Sequence, residues 1–268
     1  MKATRLLTCL SIFVLLSAAR LPGQDLEHDL NAEYKGKSMT LLYPFTSESV
    51  EFDPSGKPTR SVVRGAWPLY GHIQLTKISL KPDRLEIEGS RLGLGYVDGH
   101  LRLIELLRTA SISIHLENPI SRIEQAHNAL QSVFALTPEA QSQAVPPQWR
   151  EYLSAGPDQS SKKSREPEQM PIGAEHIGDK GVKAPRAIST PEPYLSATVR
   201  TGQGGIARFQ IIVSPTGNVE YIRLVRSVGQ GQDAECFKAL RNWRFEPGTK
   251  NGEPTAVIME VEMSFNRG

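Results

Sequence analysis

The stretch DAECFKALRNWRFEP, residues 233–247, joins a helical pattern to an aromatic cluster without a break. Cys236, Phe237 and Leu240 recur at a spacing that places them on one face of a helix. Asp233 is of the residue type that caps helix N-termini. The pattern predicts a short helix that begins at Asp233 and packs through one face against a core.

The aromatic cluster Trp243-Arg244-Phe245 admits two interpretations. It is an exposed patch that binds a ligand, or it is a wedge that locks the helix onto a sheet. The spacing Phe237, Leu240, Trp243 places the indole on the same stripe as the core residues, which favours the wedge. Phe245 then starts an extended passage toward the last strand.

Strands are predicted on both sides of this helix. Residues 206–213 and 219–225 form a hairpin around the turn at 214–217, and residues 255–265 alternate apolar with polar side chains. The order strand, strand, helix, strand predicts an α+β module in which a three-stranded antiparallel sheet carries the helix on one face.

At these residues the sequence resembles the C-terminal domain of the TonB energy transducers, over about residues 185–266. The residues that match its structural signature are Tyr194, Gly205, Gly217, Ser227, Asp233, Phe237, Leu240, Trp243, Phe245 and Pro247. The resemblance implies a periplasmic domain that pairs by strand addition with an outer-membrane TonB-dependent receptor or another envelope protein.

The resemblance also implies which strand offers its edge to that partner. It is the last strand, with Thr255, Val257, Ile258, Glu260, Glu262 and Ser264 as the predicted binding residues. Backbone groups of an unpaired edge bind extended peptides, and side chains add selectivity. Glu260 and Glu262 are equally explained as charges that keep an exposed edge from aggregating.

The N-terminus carries the pattern of a leader. Lys2 and Arg5 precede an apolar run at residues 6–19, which small residues close, and this layout predicts a secretory signal peptide over residues 1–24. The run is shorter than the roughly 20 residues of a membrane-spanning helix. An uncleaved inner-membrane anchor, with the rest of the chain facing the periplasm, is the alternative.

Charge argues against a nucleic-acid partner. Loss of the leader removes three of the 31 basic residues and leaves 28 against 29 acidic ones, so the remaining chain is nearly neutral. No basic field is then present to attract nucleic acid or anionic lipid, and membrane contact is expected only if the N-terminal segment stays uncleaved.

Between the leader and the C-terminal module the sequence predicts two further segments. Residues 25–153 form a β-rich domain of unknown function with a covering helix, in which Ile73, Leu75, Leu85 and Ile87 share a buried face. Residues 154–184 lack apolar periodicity and form a flexible linker to the module at 185–268.

No enzyme activity is expected. The six histidines are scattered without metal-ligand spacing, and no nucleophile motif occurs, so neither catalytic residues, metal nor cofactor is predicted. Cys236 lies on the inward face of its helix, where a thiol is usually inert. Trp67-Pro68-Leu69-Tyr70 reads as a core anchor, and a stacking platform for a sugar or peptide is the alternative.

Three functions are compatible with these patterns. The first is a periplasmic protein whose C-terminal module binds partners by β-strand addition within TonB-dependent outer-membrane transport. The second is a membrane-anchored energy transducer, which requires the uncleaved N-terminal helix. The third is a periplasmic ligand-binding or adaptor protein built on the β-rich domain.

Overall fold

The computed structural model describes residues 22–98, 100–154, 173–195 and 204–265. The predicted signal peptide lies almost wholly outside this part of the chain, since only its last three residues fall within it. Among the described residues, no helix combines the length and the apolar character needed to cross a membrane.

Five of the six helices in the described part of the chain precede residue 155. In chain order they are α1 (Pro22–Tyr34), α2 (Trp67–Tyr70), α3 (Ile123–Val133), α4 (Pro138–Ala144), α5 (Pro147–Ser154) and α6 (Gln230–Leu240). The predicted covering helix is α3, with Ala126, Leu130 and Val133 buried.

Strands occur throughout the described chain. The first seven are β1 (Ser38–Thr40), β2 (Ser49–Phe52), β3 (His72–Leu80), β4 (Arg84–Val97), β5 (His100–His115), β6 (Glu175–His176) and β7 (Val182–Lys183). The next seven are β8 (Arg186–Ser189), β9 (Gly205–Val213), β10 (Val219–Arg226), β11 (Arg244–Glu246), β12 (Thr249–Lys250), β13 (Glu253–Pro254) and β14 (Val257–Phe265).

One nine-stranded sheet runs through the described residues, in the order β1-β3-β4-β10-β9-β14-β6, with β5 on the other side of β4 and β2 beyond it. The long strand β4 joins the two halves of the chain. Its first part pairs with β3, and Gly95, Tyr96 and Val97 pair with β10 of the C-terminal module. The module is therefore continuous with the N-terminal sheet.

The N-terminal core confirms the predicted buried face. Ile73, Leu75, Leu85 and Ile87 are all at most 1% exposed and pack in one cluster under α3. Helix α1 was not predicted, although its Leu26, Leu30 and Tyr34 enter this cluster at four-residue spacing. These three residues have helical spacing, but they directly follow the apolar run of the leader. Three positions are too few to predict a helix.

The C-terminal module has the predicted order. Strands β9, β10 and β14 form an antiparallel sheet, and α6 packs on one face of it through Cys236, Phe237 and Leu240, which are all fully buried. The α+β assignment and the β-β-α-β order are thus confirmed.

The segment predicted as a flexible linker is paired at its C-terminal end. Strand β6 adds in parallel to β14, and β7 pairs with β12, although both are only two residues long. Residues 155–172 of the predicted linker lie outside the described part. Strands of two residues show no alternation of apolar and polar side chains. The linker prediction therefore rested on composition alone.

A second core cluster unites the two halves of the chain. Trp67, Leu94 and Trp149 from the N-terminal part pack with Phe209 and Phe237 of the module. Trp67 is 3% exposed, which confirms the anchor interpretation of this aromatic over the stacking platform.

Candidate partner-binding edge

Strand β14 has one covered and one largely open edge. On one side it pairs with β9 along its full length, from Val257 opposite Val213 to Phe265 opposite Gly205. On the other side β6 pairs only with Val257 and Ile258. From Met259 to Phe265, no strand of the described residues pairs with this second edge. Seven residues of backbone are thus available there for a further strand.

The side chains of β14 divide the strand into two parts. Val257 and Ile258 are buried, whereas Glu260, Glu262 and Ser264 are exposed. The apolar side chains Met259, Val261, Met263 and Phe265 point to the face that carries α6 and pack against its core. An added strand would therefore contact a polar outer face and the rim of an apolar core.

Thr255 was predicted as part of the edge strand, but β14 begins two residues later. Its backbone N–H donates to the carbonyl of Gly248 at 2.9 Å, so it closes the preceding turn. Val257 and Ile258 are occupied by β6 on the predicted edge. Of the predicted binding residues, the structure leaves Glu260, Glu262 and Ser264 at the open edge.

The negative charges of Glu260 and Glu262 at this edge are partly neutralised by an arginine of the neighbouring strand. Arg208 of β9 contacts Glu262 at 2.7 Å and approaches Glu260 to 4.0 Å. Arg208 thus forms salt bridges with two carboxylates, and all three side chains are substantially exposed. The strand registers place Arg223 and Arg226 of β10 further across the same face, so this face as a whole is not acidic.

The opposite edge of the module is occupied along the first part of β10. Tyr221, Ile222 and Arg223 of β10 pair with the end of β4, and the Asp98 N–H donates to the Glu220 carbonyl at 2.9 Å. Sequence reasoning missed this contact, because the alternating pattern of β4 does not identify its neighbours. The pairing leaves β14 as the open edge of the three-stranded sheet.

A family model described as Gram-negative bacterial TonB protein C-terminal matches residues 192–266, which include α6 and β9 to β14. This match assigns residues 192–266, and not the rest of the chain, to the TonB C-terminal domain family. Among solved structures, a match is the solution NMR structure of the Pseudomonas aeruginosa TonB CTD, at 21% identity and a TM-score of 0.28. That alignment covers 35% of this chain and 94% of the Pseudomonas chain. No curated protein is a significant match.

Two signature residues of the TonB C-terminal domain fix the entry to its helix. Ser227 donates its hydroxyl to Asp233 at 2.5 Å, and the Val228 N–H donates to the same carboxylate at 3.1 Å. The prediction that Asp233 is the N-cap is wrong, because α6 begins at Gln230 and Gly229 precedes it. The carboxylate reaches back from the first turn and holds the preceding loop instead.

The surroundings of Asp233 perturb its ionisation. The residue is fully buried, and desolvation raises the pKa of its carboxyl to about 6, while the hydrogen bonds from Ser227 and Val228 act in the opposite direction. Cys236 lies one turn further along α6, and burial raises the pKa of its thiol, with the charges of Asp233 and Glu235 adding to the effect. This thiol is therefore protonated and unreactive at neutral pH.

The two glycines of the signature differ in how closely other backbone atoms approach them. Gly217 has φ of 82°, and a Cβ placed there would meet the Phe245 carbonyl oxygen at 1.9 Å. Gly205 opens β9 opposite Phe265. Of these two, only Gly217 combines a left-handed backbone with a close approach, which L side chains cannot satisfy together.

The aromatic end of the signature differs from the prediction in one respect. Helix α6 ends at Leu240, so Trp243 does not continue its buried stripe and is only partly buried. Its indole N–H donates to the Pro191 carbonyl at 3.0 Å, and its ring packs beside Phe245. Phe245 is 5% exposed and is the deeper wedge.

The two remaining signature residues are Pro247 and Tyr194. Pro247 is partly buried behind β11, and Tyr194 is 80% exposed. Tyr194 therefore contributes little to the core of the TonB C-terminal domain.

Within residues 22–98, 100–154, 173–195 and 204–265, no three His, Cys, Asp or Glu side chains converge to hold an ion. The arrangement can offer backbone hydrogen bonds and a mixed polar and apolar surface to an extended peptide.

Proposed function

We propose that this protein binds an envelope partner by adding one strand of that partner to the open edge of β14. The observation that supports this most directly is the edge from Met259 to Phe265, which no strand of the described residues pairs with, beside a fully paired edge to β9. An exposed edge of this length supplies backbone donors and acceptors for an extended segment.

The TonB C-terminal domain at residues 192–266 suggests the class of partner. Domains of this family act in the cell envelope as interaction domains, and we infer an outer-membrane TonB-dependent receptor whose N-terminal segment supplies the strand. The fixed contact between β4 and β10 supports the choice of β14, since it occupies the alternative edge of the same sheet.

A cysteine cross-linking experiment tests the edge. The full chain would carry Cys9→Ser and Cys236→Ala, with one new cysteine in Glu260→Cys, and would be mixed with peptides from receptor N-termini that carry cysteine at successive positions. A strand paired with β14 is expected to give disulfide yields that rise and fall with a period of two along the peptide.

The matched control is Glu220→Cys, which places an equally exposed cysteine on β10 beside the edge that β4 covers. It is expected to give only background cross-linking. Equal yields at both positions, or no dependence on peptide position, would remove strand addition at β14 from consideration.

We further propose that the chain is exported and that its leader is removed in the periplasm. N-terminal sequencing of the protein from a periplasmic fraction is expected to find a first residue between Arg20 and Asp25. The cut must preserve Leu26, because this side chain is buried in the N-terminal core. Recovery of an intact Met1 in the inner-membrane fraction would instead support the membrane-anchored transducer.

A further inference from the structure

A buried arginine in the N-terminal sheet has no acidic partner. Arg91 of β4 is 1% exposed, and its guanidinium lies between two aromatic rings, 4.4 Å from the Phe45 centroid and 5.3 Å from the Tyr70 centroid. Nη2 donates to the Ser47 carbonyl at 2.8 Å, whereas Nη1 is buried without a hydrogen-bond partner. Among the described residues, no carboxylate forms an ion pair with Arg91.

A second cation, Arg108, acts on the charge of Arg91. Burial lowers the pKa of Arg91 to about 10, the nearby Arg108 lowers it further, and Tyr70 acts in the opposite direction. The guanidinium remains charged at neutral pH, so the protein holds a desolvated cation next to a second one. The two rings and the Ser47 carbonyl compensate part of the cost of burying this charge, and a bound anion would compensate more of it.

Arg108 is directed toward the same place by an irregularity in β5. The register between β4 and β5 passes from Leu92 opposite Glu105 to Ser90 opposite Thr109, so β5 carries extra residues opposite Arg91. Leu107 within this bulge has φ of 52° and is 85% exposed. Such bulges re-aim side chains, and positive φ in a leucine is a strained conformation.

The bulge brings the exposed Arg108 to the hydroxyl of Tyr70, with its Nη1 at 3.4 Å. This contact is long and is the one hydrogen bond of the Arg108 side chain within the described residues. Tyr70 itself is held against Gly65, where a Cβ would come within 2.6 Å of the tyrosine Cβ. The ring therefore stands between a buried and an exposed guanidinium, and its hydroxyl faces the exposed one.

We propose that Arg108, the Tyr70 hydroxyl and the buried Arg91 form a binding site for the oxyanion group of a small ligand, a phosphate or a carboxylate. Arg108 would bind the anion through charge-assisted hydrogen bonds, and Tyr70 would donate its hydroxyl to the same group. Arg91 supplies positive potential from beneath the Tyr70 ring. The site belongs to the N-terminal domain and is independent of the β14 edge.

Calorimetric titration of the full chain with inorganic phosphate and with acetate, at ionic strength matched with sodium chloride, tests this site. Saturable binding of at least one of the two anions is expected. Binding of phosphate alone indicates a phosphate-bearing ligand, and binding of acetate indicates a carboxylate. A thermal-unfolding series with the same anions should show a midpoint that rises and then levels off.

Arg108→Gln and Tyr70→Phe are the test variants, since Arg108 is exposed and the phenylalanine keeps the ring in place. Each is expected to weaken anion binding by at least about tenfold with little change in the unfolding midpoint without anion. Arg226→Gln, which removes an exposed arginine from β10, is the control and should bind as the parent does. No saturable binding, or equal affinity in Arg108→Gln and the parent, would overturn the proposal.

Discussion

Trp149 of α5 packs edge-on against Phe237 of α6, with ring centroids 5.5 Å apart and an interplanar angle of 76°. This contact joins the last described helix of the N-terminal part to the helix of the TonB C-terminal domain. Trp67 lies 6.0 Å from Trp149 on the other side, so the indole of Trp149 is shared by both halves of the chain. The module is thus fastened by side chains as well as by the pairing of β4 with β10.

Trp149→Ala should be among the most destabilising single changes in the protein. The residue is fully buried, and loss of such an aromatic side chain typically costs about 3 to 5 kcal/mol of unfolding free energy. Trp243→Ala, at a partly buried position with one hydrogen bond, should cost only about 2 kcal/mol. Urea denaturation of both variants measures the two values.

The comparison between these tryptophans tests whether the C-terminal module is stable by itself or depends on a core that it shares with the N-terminal part. If the TonB C-terminal domain were self-sufficient, Trp243 would matter more than Trp149, since only Trp243 belongs to the family match. A larger loss in Trp243→Ala would therefore contradict the shared core described above. Trp149→Phe, which keeps an aromatic contact, should recover part of the stability.

Gly217→Ala should destabilise the module through backbone strain and through a steric clash. The same substitution at Gly252 distinguishes the two effects. Gly217 has φ of 82° and a close contact to the Phe245 carbonyl, whereas Gly252 has φ of 97° and open space around the position of a Cβ. Gly252→Ala therefore reports backbone strain alone, about 1 to 2 kcal/mol. Gly217→Ala should exceed it by at least about 1 kcal/mol, since the steric clash adds to the strain. Equal urea midpoints for the two variants would argue against the close approach to Phe245.

These features show how far the sequence could predict the fold. The hairpin of β9 and β10, α6 and β14 each carry their own period, so their type and order follow from local patterns. The pairing of β4 with β10 and the position of Trp149 depend on contacts between residues far apart in sequence. No periodicity within either segment encodes them.

The candidate site shows the same division. Alternation along β14 predicts which side chains are exposed, and Glu260, Glu262 and Ser264 are exposed as expected. Which backbone edge stays open depends on β6, a two-residue strand without any pattern of its own. The Arg91 arrangement likewise required the structure, because Arg91 occupies a position in β4 that alternation alone does not distinguish from a surface arginine.

Stability should respond to pH through two buried groups with opposite effects. The pKa of Asp233 is raised to about 6, so its contribution is fully present below the unfolded value of 3.8 and is lost as pH rises through 6. The pKa of His72 is lowered by burial to about 4, so its contribution is present above 6.5 and is lost as pH falls through 4. Between pH 4 and 6 the two effects largely cancel.

Asp233→Asn should leave the pH dependence of stability that comes from His72 without the opposing contribution of Asp233. The unfolding free energy of this variant, relative to the parent, is expected to rise by about 3 kcal/mol from pH 4 to pH 6.5, because the parent loses the aspartate contribution over that range. His72→Gln should show the opposite trend, with relative stability falling by a similar amount. Urea denaturation at several pH values measures both slopes. Parallel profiles for the parent and both variants would show that neither group titrates as described.

The Cys236 thiol should be inert in the folded protein and reactive once α6 is exposed. Its side chain is fully buried, and its raised pKa keeps it protonated at neutral pH. In a Cys9→Ser background, labelling with a thiol-specific reagent should follow the population of unfolded protein and rise steeply with added denaturant. Trp149→Ala should label faster than the parent at low denaturant, because it destabilises the contact over Phe237, which neighbours Cys236. Rapid labelling of the native parent would mean that the helix face is accessible without unfolding.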